Sequence, residues 1–138
     1  MKRRDGQQPA SSRDFAAALS DSPDGDSYNN FCWELATARV NLSDALAACE
    51  KAMAIAPKDP EYLDSMGMVL LQLGRFAESI AAYDAALATR PKHEASLFGR
   101  GLAKNRLCKC ADGNGDLKTA RLGNPTIVRQ FAQAGLTP

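Results

Sequence analysis

One histidine, His93, is all that this 138-residue chain offers for proton transfer near neutral pH, which removes most general-base schemes. The sequence has no strand-linked glycine loop, nucleophile elbow or paired-carboxylate arrangement, so no catalytic residue is predicted and the chain reads as a non-enzyme. No run approaches the ~18 apolar residues of a membrane helix. The opening MKRRDGQQPASS is positive but has no apolar stretch behind it, and so lacks the segment a secretory signal needs. Four cysteines are too few for a small secreted disulfide scaffold and fit a reducing compartment. A formal charge of +1 gives no overall electrostatic reason to expect nucleic acid or a membrane as partner. These absences predict a cytoplasmic protein, with an exported mature chain as the alternative.

What is present is repetition. Residues 52 to 63 read AMAIAPKDPEYL and residues 86 to 97 read ALATRPKHEASL. The same interval of 34 relates Pro57 to Pro91 to Pro125, Ala52 to Ala86 to Ala120, and Trp33 to Gly67 to Gly101. A fixed period of this size means a repeated supersecondary unit. Between the prolines, Ala45, Ala48, Cys49 and Ala52, then Ile80, Tyr83, Ala86 and Leu87, recur at helical spacing. Gly74 stands where a first helix would close in a left-handed conformation, and Asp59-Pro60 reads as an N-cap followed by a first helical residue. Each unit is therefore two antiparallel helices, too small to bury its apolar faces without stacking on a neighbour.

This interval and breaker pattern resembles the tetratricopeptide repeat. The second unit carries the resemblance best, with Leu63, Met66, Gly67 and Leu70, then Ser79, Tyr83, Ala86 and Pro91. Ser79 alone departs from the expected alanine. The first unit has Cys32, Trp33 and Ala36, then Ala45, Cys49, Ala52 and Pro57, and its Trp33 in place of glycine suggests an exposed end of the stack. The third keeps Leu97, Gly101, Ala120 and Pro125 but puts Arg100 and Lys104 at packing positions. Its Gly113 and Gly115 predict a short or frayed second helix, since an interior glycine costs about 1 kcal/mol against alanine.

The resemblance implies an all-α fold: a right-handed stack of helical hairpins of about three repeats, the third degenerate, in a small bacterial-type member of the family. Residues 27–138 form this domain and residues 1–26 a flexible tail with one apolar island, FAAAL at 15 to 19. At the other end Asn124-Pro125 is expected to open a capping helix with Ile127, Val128, Phe131 and Ala134 on one face and Gly135 closing it.

The resemblance also implies a concave groove that binds a peptide or helix of another protein. Its groove-facing residues are Asn30, Glu34 and Thr37, then Asp64, Met68 and Leu71, then Phe98, Leu102 and Asn105. Met68, Leu71, Phe98 and Leu102 are expected on an open wall as contact anchors, unless the tail or the capping helix fills the groove. Members that clamp a chaperone's terminal carboxylate use Lys, Asn and Arg. The matching places here hold Asn30, Glu34, Ser65, Ala95 and Gly99, so that ligand is not implied.

By the same alignment Cys32 and Cys49 face each other within their hairpin, close enough for the ~4.4 to 6.8 Å Cα separation of a disulfide. Two small buried thiols are the plainer reading, and a disulfide is the alternative. Cys108 and Cys110 suggest a competing function, a thiol-based redox- or metal-responsive protein, although His93 falls at the opposite end of the stack and zinc would need two more ligands. Asp112, Asn114 and Asp116 alternate like the start of a calcium loop, but Leu117 and Gly123 stand where glycine and glutamate belong. They read instead as acidic residues near a helix N-terminus. No cofactor or metal is predicted. The acids of the early units and the seven bases in residues 95 to 138 allow weak head-to-tail self-association.

Overall fold

A computed structural model describes residues 24–138, so the tail up to residue 23, FAAAL included, lies outside the described residues. The described chain is seven helices: α1 Gly25–Ala38, α2 Leu42–Ile55, α3 Pro60–Gln72, α4 Phe76–Thr89, α5 Glu94–Arg106, α6 Cys110–Gly123 and α7 Ile127–Gln133. Asp24 caps the first, its carboxylate accepting from the Ser27 amide at 2.8 Å, and the helix begins at Gly25, two residues before the boundary expected at 27. Asp59 caps α3 by accepting from the amides of Glu61 and Tyr62, with Pro60 at the first helical position. Gly74 takes φ +79° and closes that helix in the left-handed conformation expected of it.

Successive helices pair as hairpins, α1 with α2, α3 with α4, and α5 with α6. The first helices of the pairs also adjoin one another, α1 to α3 and α3 to α5. They form one layer, and α2, α4 and α6 form the other. Small residues permit this spacing. A Cβ on Gly67 would come within 2.7 Å of the Tyr83 ring, and the same ring lies against Gly99, so Tyr83 is gripped between the second and third pairs. The Ser79 hydroxyl, the one departure from pattern in that pair, donates to the Gly67 carbonyl at 2.7 Å.

The third pair corrects one expectation. α6 is a full 14 residues. A Cβ on Gly101 would meet the Gly113 carbonyl oxygen at 2.7 Å, so Gly113 lets two backbones approach and is not a point of fraying. Arg100 and Lys104, apparent misfits, reach Asp116 at 2.8 and 3.1 Å, and Arg100 also reaches Asp84 at 2.8 Å. Burial works to raise the Asp116 carboxyl, but the hydrogen bonds from Arg100 and Lys104 outweigh it and hold the group below the usual range.

At the α1–α3 joint the Tyr62 hydroxyl donates to Asp26 at 2.6 Å. That bond, with burial adding to it, pushes the phenol up to about 12. A raised folded-state pKa means that the folded protein keeps a proton the unfolded chain has released, so stability falls as pH rises from about 10 towards 12. We expect Tyr62→Phe to cost about 1–2 kcal/mol at pH 7 and to flatten this alkaline loss. Urea titrations at pH 8 and pH 11 check it, and an equal alkaline loss in both proteins would refute the assignment.

Candidate functional site

Because α1, α3 and α5 form one layer, the groove expected from the sequence would lie on their free face, and α7 changes what is open there. Asn124 accepts from the Thr126 amide and hydroxyl at 3.1 and 2.8 Å, turning the chain so that α7 begins at Ile127, two residues beyond the expected Pro125. Ile127, Phe131 and Ala134 are buried, and Gly135 ends the helix at φ +77°. Phe131 meets Phe98 with ring centroids 4.8 Å apart. The Gln72 amide donates to the carbonyls of Ala36 and Ala134 at 2.9 and 2.8 Å, and Arg106 donates to that of Thr137 at 3.0 Å. The last segment thus runs from the end of α6 over α5 and α3 to the end of α1.

The expected groove is redrawn accordingly. Met68, Leu71, Phe98 and Leu102 are not open anchors: they are 2%, 3%, 0% and 0% exposed. α7 supplies the cover that the apolar side chains demand. Asn105 also leaves the groove list, since it donates to Asn114 of α6 at 3.2 Å and lies over Gly113. Asp64 is buried too, its carboxylate accepting from Ser96 at 2.8 Å with His93 4.0 Å away. Asn30 and Glu34 are exposed and Thr37 half-buried.

Two openings lie beside α1. The larger, about 500 Å³, lies between α1 and α7, with Trp33, Thr37 and Ala38 on one wall, Ile127, Gln130 and Gln133 on the other, and Met68 and Ala95 at its base. The smaller, about 180 Å³, lies between α1 and α3 and is lined by Asn29, Asn30, Trp33, Glu61, Asp64 and Ser65. Trp33, 36% exposed, borders both. Sequence reasoning placed it at an exposed end but did not see it as a binding residue; an indole where the period calls for glycine was the available signal.

The four cysteines divide cleanly. Cys32 and Cys49 are fully buried and joined by a disulfide, with Cα atoms 5.4 Å apart. The register of the first pair is therefore as expected, while the plainer reading of two free thiols is corrected. Cys108 and Cys110 are free and exposed, Cys108 in the turn between α5 and α6 and Cys110 at the first position of α6, and His93 precedes the other end of α5. Among the described residues no three His, Cys, Asp or Glu side chains gather as a metal site would need. Asp112 lies in the first turn of α6, as read from the sequence. No helix of the described residues is long and apolar enough to cross a membrane.

With paired helices, a gripped tyrosine and small residues at the crossings in place, the comparison with known families is decisive for the central pair: the model described as tetratricopeptide repeat matches residues 60–93, from the start of α3 to the turn before α5. The chain carries a tetratricopeptide repeat. Tetratricopeptide repeats are in general modules of protein–protein interaction, and the stacked pairs on either side of the matched one extend that architecture. No curated protein matches the chain.

Proposed function

We propose that this tetratricopeptide protein is a non-enzymatic interaction module that takes a peptide or helix of another protein on its concave face, in the opening between α1 and α7. The observation that carries this reading is Trp33, an indole more than a third exposed on the wall of a 500 Å³ apolar-based cleft. Aromatic side chains so placed are the usual anchors of peptide recognition. The contact is smaller than an unobstructed groove would make, because α7 already covers Phe98 and Leu102.

Charge placed at Met68 or Phe98 would unfold the protein, so the rim is the place to test. Trp33→Ser with Gln130→Arg should abolish crosslinking to its partner in the source cell while leaving the helical circular dichroism unchanged. A partner captured equally by both proteins would refute the cleft.

A further inference from the structure

We propose that the smaller opening, between α1 and α3, receives the arginine or lysine side chain of the bound segment, so that the partner is a cationic amphipathic stretch whose basic residue lies beside a large apolar one. This rests on the cleft reading above and adds the chemistry of the ligand.

The lining is polar and its ionisable groups are acidic. It holds the carboxylates of Glu61 and Asp64 and the amides of Asn29 and Asn30, and among the described residues that form it none is basic. Asn29 Oδ1 is buried with no hydrogen-bond partner among the described residues. A buried acceptor left unmatched costs free energy until a donor reaches it. Asp64 is 9% exposed, with one oxygen held by Ser96, and burial pushes its carboxyl above the usual range. An arriving cation would relieve that penalty by favouring the ionised form. Glu61 pairs with Arg90 at 3.1 Å, a pair open to solvent and weak for that reason. Trp33 completes the lining, and an indole attracts a cation that comes over its ring. At about 180 Å³ the space is below the range of small-molecule sites and suits the head of one side chain.

The two openings are one helical turn apart. On α1, Asn29 and Asn30 precede Trp33 by a turn and Thr37 follows it by one; on α3, Asp64 precedes Met68 by four residues. One turn is about 5–6 Å, so a basic and an apolar side chain adjacent on one face of a bound segment would enter the two openings together.

The test is selection of a random twelve-residue peptide library against the full chain, followed by titration of recovered peptides using Trp33, the sole tryptophan, as a fluorescent reporter. Recovered sequences should place Arg or Lys within four residues of Leu, Ile, Met or Phe. Glu61→Gln and Asn30→Lys, both at exposed positions, should each weaken them at least tenfold, whereas a lysine-to-glutamate change in the peptide should abolish binding. Recovery of apolar peptides with no basic preference, bound equally by the charge variants, would overturn the cationic assignment and leave the cleft standing. Peptides that leave Trp33 fluorescence unchanged and bind Trp33→Ser normally would overturn both. Sedimentation of the protein alone separates other occupants. A dimer dissolved by Glu61→Gln makes a second copy the ligand, and a tenfold gain in peptide affinity on Phe15→Asp makes the chain's own first residues the ligand. Either would overturn the partner assignment.

Discussion

Phe98→Ala will destabilise the protein by about 3–5 kcal/mol, the usual cost of deleting a fully buried phenylalanine. Phe98 is 0% exposed and lies where α5 meets α7, its ring 4.8 Å from that of Phe131. The loss should be larger than for Phe131→Ala, because Phe131 belongs to a seven-residue helix that can shift whereas α5 is clamped between α4 and α6. A double-mutant cycle in urea should return a coupling of about 0.5–1.5 kcal/mol for the ring pair. If Phe98→Ala costs less than about 1 kcal/mol, below the range seen for buried aromatic deletions, α7 does not lie over α5 and the groove is open after all.

Reducing the protein will cost nearly as much. The Cys32–Cys49 bond closes a loop with a sequence separation of 17, and on the chain-entropy model a loop of that size contributes about 3 kcal/mol. For a domain of this size that is a fall in Tm on the order of 10 °C. Alkylation before reduction should label only the exposed Cys108 and Cys110, and after reduction in denaturant all four. The Cys32→Ala, Cys49→Ala double variant should melt like the reduced protein and become insensitive to reductant. An unchanged melting temperature on complete reduction would show that the bond constrains nothing that folding does not already fix.

The sequence told most where the period of 34 forced one answer. Gly67 is small because Tyr83 comes across it, and the facing of Cys32 and Cys49 followed from the tetratricopeptide alignment, in which a slip of one residue would have turned a sulfur by about 100°. It told least where a residue's partner is remote in the chain. Gly113 looked like a defect because its reason is Gly101, on another helix. Arg100 and Lys104 looked misplaced because Asp84 and Asp116, which neutralise them, lie twelve or more residues away. The groove suffered most. The resemblance assigns Met68, Phe98 and Leu102 to a concave wall, and although the sequence offered the capping helix as one cover for that wall, no local pattern decided for it.

The two hydrogen bonds donated by Gln72 have a consequence for how the molecule comes apart. In a plain array of hairpins each unit touches only its neighbours, so ends can fray while the middle persists and unfolding spreads along the line. Here one side chain on the central pair holds Ala36, at the end of the first helix, and Ala134, just past the last. The first unit cannot leave without costing Gln72 one of these bonds, and the last cannot leave without costing it the other and uncovering Phe98. Both ends are thus tied to the middle by the same side chain, which works against fraying at either end.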